Sequence, residues 1–219
     1  MAKTIDENYF KMTDGMQANR VEDILDEDES VLLRTKPKKS AYVFNSFFRM
    51  FPIAFIWLIF DGGFIGGMVY GMVKGSIPIA ILAFIIPFFA LHLIPVWMWI
   101  GGIVKASAGW KNIEYVFTEK RIIIRSGLVG IDFVNIYYSD ILGVNLKVGL
   151  IDRIFKVGDI YISAHNQSDV LWDIPNPYFI LKKIQNIVVD IKTDIIFPND
   201  LRPGENHGFR TKYRGKDYE

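Results

Sequence analysis

The chain has 219 residues, of which 51% are hydrophobic and 22% charged, and its net charge at pH 7 is +1. The small net charge argues against a nucleic-acid-binding protein, because such proteins neutralise phosphates with an excess of Lys and Arg. The absence of cysteine excludes disulfides, thiolate metal sites and cysteine nucleophiles.

The chain begins with a polar segment. Residues 1–28 are rich in Asp and Glu and lack the basic start and short apolar run of a signal peptide. We therefore predict a polar acidic N-terminal arm. Residues 29–46 form a pre-membrane segment, and the apolar residues within 30–36 are a candidate first strand of a sheet that continues after the apolar region.

The hydrophobic residues concentrate in two runs, at about 47–73 and 77–104. Each run is long enough for a membrane-spanning helix of ~20 residues, and the polar residues between them are typical of a turn. The sequence thus predicts a transmembrane hairpin over residues 47–104. Lys and Arg flank its outer ends, whereas Lys74 is the single basic residue of the turn. We therefore expect a multi-pass protein with both termini in the cytoplasm.

Two polar residues interrupt the apolar runs. Asp61 and His92 have predicted depths that differ by only about 4 Å, at 1.5 Å per helical residue. A lone charge in a bilayer costs roughly 2.5–3.5 kcal/mol on insertion scales, so we expect these residues to form an intramembrane polar pair. The pair would be either a structural clasp or a proton-linked site in a transport assembly.

The first run also carries glycines at the spacing that lets two helices approach closely in a membrane. Such a helix-packing face serves either the hairpin itself or a homo-oligomer. Its glycines are Gly62, Gly63, Gly66, Gly67 and Gly71.

Residues 106–195 have the pattern of a cytoplasmic antiparallel sheet closed by one helix. Six short runs alternate between apolar and polar residues and are separated by turn residues. Asn176 and Pro177 are typical of a helix start, and an isoleucine stripe follows at helical spacing. The stripe comprises Ile180, Ile184, Ile187 and Ile191. Residues 196–219 are predicted to be a polar C-terminal tail.

Several short motifs resemble the second group of bacterial pleckstrin-homology (PH)-like domains, formerly a domain of unknown function. They include Thr118-x-x-Arg121, RIFKVGDI at 153–160 and IPNP at 174–177, in that order after two apolar runs. The resemblance covers roughly residues 25–192. It implies an α+β fold: a two-helix transmembrane hairpin plus a PH-like antiparallel β-sandwich or barrel of seven strands, capped by a C-terminal helix. Within this fold, Arg121 and Asp140 are candidates for an ion pair that joins strands.

No motif of an enzyme is present: the sequence lacks a phosphate-binding glycine loop, GxSxG, HExxH and a dinucleotide fingerprint. We therefore expect no catalytic residues, metal site or cofactor. A group of basic residues is expected to contact anionic headgroups or a partner close to the membrane. Its members are Arg121, Arg125, Lys147, Arg153 and Lys156.

The expected function follows from these features and the resemblance. We expect a membrane-anchored interaction or scaffold module at the cytoplasmic face of the bacterial cell (inner) membrane. Its expected partners are proteins and membrane lipids, with a homo-oligomer or another membrane protein among them, and no nucleic acid. The alternative is a subunit of a small transport, export or resistance-related assembly that uses Asp61 and His92.

Overall fold

The computed structural model describes residues 20–26, 29–165 and 167–196, with the backbone alone for 194–196. Most of the predicted acidic arm and nearly all of the predicted tail lie outside the described residues.

In the part of the chain that the structure describes, seven strands form two antiparallel sheets, as expected for the α+β class. The first sheet has the order β1-β2-β3-β4 and the second β5-β6-β7. The six alternating runs of the sequence correspond to β2–β7. The strands are β1 Val31–Thr35, β2 Glu114–Thr118, β3 Arg121–Ser126, β4 Asp132–Tyr137, β5 Ile141–Lys147, β6 Val157–Ala164 and β7 Ser168–Pro175.

Strands β1 and β2 are neighbours in the sheet although the whole apolar region separates them in the chain. They pair antiparallel, with Thr35 opposite Tyr115 and Arg34 opposite Val116. The candidate first strand is therefore part of the first sheet. The apolar helices form an insertion between two paired strands, so both ends of this insertion leave from the same end of the sheet.

A C-terminal helix, α5 (Pro177–Ile196), packs against the sheets. All four isoleucines of the predicted stripe are buried in one core cluster with residues of both sheets, including Tyr115 and Ile162. Burial of this stripe is favourable because it removes apolar area from water.

The helical insertion contains three α-helices, whereas the sequence predicts a hairpin of two helices. Helix α1 (Lys39–Val73) has 35 residues, which at 1.5 Å per residue is about 52 Å. The second apolar run contains α2 (Leu82–His92) and α3 (Ile94–Gly109), with a bend of 52° between their axes. Pro95 explains the break, because proline has no N–H to donate and its ring clashes with the carbonyl four residues earlier.

By length and composition, α1 is able to cross a membrane. The segment of α2 and α3 meets the same criterion only if the two helices are taken together as one bent span. A short helix, α4 (Leu150–Phe155), lies between β5 and β6.

Candidate membrane and interaction site

The predicted polar pair lies beside the bend between α2 and α3. His92 is the last residue of α2, and its Nδ1 lies 3.1 Å from Asp61 Oδ1 and 3.2 Å from Asp61 Oδ2. Asp61 lies in α1 and is only 2% exposed. The fold thus brings these two residues together across the two apolar segments.

Two tryptophans donate hydrogen bonds to carbonyls at the same bend. Trp57 Nε1 donates to His92 O over 2.9 Å, and Trp97 Nε1 donates to Ala90 O over 3.1 Å. A helix break leaves carbonyls without their intrahelical partners, which is costly where no water is present. Trp57 was not predicted from the sequence, although its position one helical turn before Asp61 places it on the same face of α1.

The predicted glycine face of α1 is largely open. A Cβ added at Gly62, Gly63, Gly66 or Gly67 would have no neighbouring atom within 4 Å among the described residues. A Cβ at Gly71 would lie 2.6 Å from Ile77 Cδ1, in the turn after α1. Close packing within the helical insertion therefore uses Gly71, whereas the other four glycines form an exposed face of α1.

The start of α1 and the end of α3, which are the two roots of the helical insertion, are held against the sheet domain by hydrogen bonds. Lys38 N donates to Asp173 O over 3.0 Å, and Asn45 Nδ2 donates to Asp173 Oδ1 over 2.8 Å. At the end of α3, Trp110 Nε1 donates to Pro37 O over 2.7 Å. These bonds connect β7, the start of α1 and the end of α3, and they hold the sheet domain directly against the helices.

Asp173 is the central residue of this junction. It is 2% exposed and has φ 50°, a left-handed conformation that Asp adopts more readily than most residues. Its backbone N–H donates to Asp159 Oδ1 over 2.9 Å. Burial and the nearby Asp159 and Asp152 carboxylates raise the pKa of Asp173 to about 7, against a weaker opposing effect of the Asn45 hydrogen bond. Asp173 therefore titrates near neutral pH.

Arg121 is engaged in an internal ion pair. It is 7% exposed, and its Nε and Nη2 donate to Glu29 Oε1 and Oε2 over 3.0 and 2.7 Å. Thr118 Oγ1 donates to Glu29 Oε1 over 2.6 Å. The partner of Arg121 is thus Glu29 instead of the expected Asp140, whose Oδ1 accepts from Ser139. The guanidinium of Arg121 is therefore engaged inside the domain and does not face a membrane surface.

The Glu29 carboxylate is stabilised in its charged form. Burial alone would raise the pKa of Glu29, but the hydrogen bonds from Arg121 and Thr118 outweigh it and hold the pKa below its ordinary value. The same contact raises the pKa of Arg121. The pair fixes the segment before β1 to the start of β3.

The other four predicted basic residues lie in two separate regions of the domain. Arg125 Nη1 lies 3.8 Å from Glu114 Oε2 on the neighbouring strand. Lys147, Arg153 and Lys156 are all exposed and lie at or beside α4. The fold therefore groups three of the five basic residues around one short helix.

Helix α4 contacts the root of α1. The ring centroids of Phe155 and Phe44 are 5.2 Å apart, and Lys38 Nζ donates to Phe155 O over 2.9 Å. The basic residues around α4 consequently lie beside the point where α1 leaves the domain.

Comparison with known proteins connects this architecture to a family. A family model described as Bacterial PH domain matches residues 63–190, which is more than half of the chain. A crystal structure of a protein with a pleckstrin-homology domain from Shewanella loihica aligns with 35% of this chain and 70% of its own chain, at 19% sequence identity and a TM-score of 0.29. None of the curated proteins matches the chain.

Proposed function

The chain belongs to the Bacterial PH domain family, and we propose that it is a membrane-anchored interaction module at the cytoplasmic face of the bacterial plasma membrane. In this proposal, α1 and the bent pair α2–α3 cross the bilayer as a hairpin. The PH-like domain binds protein partners, and the basic residues around α4 contact anionic lipid headgroups. No catalytic step is part of the proposal.

The observation that carries the proposal is the pairing of β1 with β2 around the helical insertion. Paired strands must lie on the same side of a membrane, so a segment inserted between them crosses an even number of times. Since α1 is able to cross once, α2 and α3 together would supply the return. This supports a hairpin in which the second span is bent.

The distribution of charge supports the orientation. Basic residues are frequent at the roots of α1 and α3, whereas Lys74 is the single one in the turn between α1 and α2. By the positive-inside rule, this excess of basic residues supports a cytoplasmic location of the roots. The basic residues at the roots are Lys36, Lys38, Lys39, Arg49, Lys105 and Lys111.

The proposal is tested by purification of the full chain from native membranes into nanodiscs, followed by mass spectrometry of bound proteins and lipids. We expect an R153E/K156E variant to lose anionic lipid relative to the wild type. The variant Lys182→Glu is the matched control, because Lys182 is an exposed lysine on α5. All three proteins should remain in the membrane after an alkaline carbonate wash. Extraction of the wild type by carbonate would overturn the anchoring.

A second candidate function is a subunit of a small transport assembly. The buried contact between Asp61 and His92 favours it, together with the open glycine face, which offers a place for a helix of another chain. The two functions differ in which variants abolish activity in the cell. An interaction module tolerates Asp61→Asn and fails with R153E/K156E, whereas a transport subunit shows the reverse.

A further inference from the structure

We propose that α4 inserts its apolar face into the cytoplasmic surface of the bilayer, so that the PH-like domain rests on the membrane beside its own anchor. This inference rests on the proposed function, because it needs α1 to be in the membrane. It adds a hydrophobic contact to the electrostatic contact proposed above.

The composition of α4 and its exposed face carry the inference. Leu150 and Ile154 are four residues apart on one side of the helix, and they are 79% and 72% exposed. The side chain of Asp152, by contrast, faces inward and is 6% exposed. Scattered exposed apolar residues are ordinary on protein surfaces. Two on one face of a six-residue helix, with Arg153 between them, form a small apolar face beside a basic residue, which is the combination that favours contact with a membrane interface.

The position of α4 fits such a contact. Phe44, which packs against Phe155, precedes the long apolar run of α1 by three residues, or about 4.5 Å along the helix axis. Phe44 and Phe48 are themselves partly exposed on α1. Helix α4 therefore lies level with the start of the apolar run, where the interface of the bilayer would be. Lys147, Arg153 and Lys156 would meet anionic headgroups at the same level.

A second exposed apolar segment, the tip of the loop between β3 and β4, lies at the root of α3. The loop between β3 and β4 exposes Leu128 (46%) and Val129 (97%). Its position is fixed because Asn112 Nδ2 donates to Gly127 O over 3.1 Å. Gly127 has φ 131°, and a Cβ there would lie 2.1 Å from Gly130 O, so the tight tip requires glycine. This tip belongs to the proposed contact with the bilayer. Together with α4 at the other root, it would fix the tilt of the PH-like domain relative to the membrane.

The absence of native cysteine allows a direct test with single-cysteine variants of the full chain. Leu150→Cys, Ile154→Cys and Val129→Cys are labelled with bimane and reconstituted in nanodiscs that contain phosphatidylglycerol. Fluorescence is then quenched either by brominated lipids or by aqueous iodide. The bromine lies near the headgroup end of the acyl chain for the labels on the domain and near the methyl end for the label in α1. Leu142→Cys is the matched control, because Leu142 is 58% exposed at the opposite end of β5 from α4. Ile59→Cys, at a 61% exposed position in α1, reports on anchoring.

We expect brominated lipid to quench the labels at 150, 154 and 129, and iodide to quench the label at 142. Quenching at 59 by brominated lipid together with iodide quenching at 150 and 154 would overturn the inference and leave the anchoring intact. Protection of 150 and 154 from both quenchers would also overturn it, because it would show that protein covers this face. Iodide quenching at 59 would overturn the proposed function and the inference with it.

Discussion

Asn45 on α1 donates a hydrogen bond to the buried carboxylate of Asp173 on β7, over 2.8 Å. The backbone carbonyl of the same aspartate accepts from Lys38 N, immediately before α1. One residue of the second sheet thus holds two positions of the helical insertion. Because burial raises the pKa of this carboxyl to about 7, we expect the stability of the attachment to depend on pH.

The variant Asp173→Asn tests this dependence. The pKa of Asp173 in the folded protein, about 7, lies above its ordinary value of 3.8. The folded state therefore holds the proton more tightly than the unfolded state does, and the free energy of unfolding falls as pH rises from about 4 through 7. Asparagine keeps an acceptor for Asn45 and tolerates the left-handed conformation. We expect the variant to gain stability over the wild type across this range, on the order of 2–4 kcal/mol.

Melting temperatures of the detergent-solubilised protein at pH 5 and pH 8 measure this gain. The difference between variant and wild type should be larger at pH 8. Asp132→Asn, at an exposed position, is the control and should show no such change. An equal difference at the two pH values for Asp173→Asn would contradict the prediction.

The ion pair of Arg121 and Glu29 gives a second prediction. Glu29→Gln leaves the buried guanidinium without a counter-charge, and we expect a loss of about 3 kcal/mol in the free energy of unfolding. Replacement of both residues, as Glu29→Leu with Arg121→Met, should cost less than the single change, because no uncompensated charge remains. Chemical denaturation of the wild type, Glu29→Gln and the double variant measures the two losses. A double variant that is less stable than Glu29→Gln would contradict the prediction. It would show that the ion pair itself stabilises the fold and does more than neutralise two buried charges.

The contact between Asp61 and His92 gives a third prediction. His92→Leu leaves Asp61 buried among apolar helices without its partner, which costs roughly 2.5–3.5 kcal/mol on insertion scales. We expect a lower melting temperature in detergent for this variant. Asp61→Leu combined with His92→Leu should recover most of the loss, since no polar group then remains without a partner. If His92→Leu melts at the wild-type temperature, the contact does not stabilise the helices.

Local patterns predict much of this fold. The alternation of apolar and polar residues predicts β2–β7, and the isoleucine stripe predicts α5, because period two and period 3.6 are set by backbone geometry alone. The second apolar run contains Pro78, Pro87 and Pro95, each of which can bend a helix. The sequence therefore indicates a bend in this run but does not specify that it falls at Leu93. Its location also depends on tertiary contacts, such as the bond from Trp57 to His92 O.

The candidate site was less predictable than the fold. Helix α4 follows β5 without a long apolar pattern, so its exposed leucine and isoleucine resemble ordinary surface residues in the sequence. The partner of Arg121 was also missed, because Glu29 is far away in the chain and comes close only through the pairing of β1 with β2. Long-range contacts of this kind depend on topology, which short motifs do not specify.

The central claim is that the apolar insertion crosses the membrane twice and leaves the domain in the cytoplasm. It is tested most directly by labelling single-cysteine variants in intact spheroplasts with a membrane-impermeant maleimide. Ser76→Cys lies in the turn after α1, and Ser139→Cys lies at an exposed position between β4 and β5. We predict that Ser76→Cys is labelled in intact spheroplasts and that Ser139→Cys is labelled only after lysis. Labelling of Ser139→Cys from outside, or of neither position until lysis, would contradict the account.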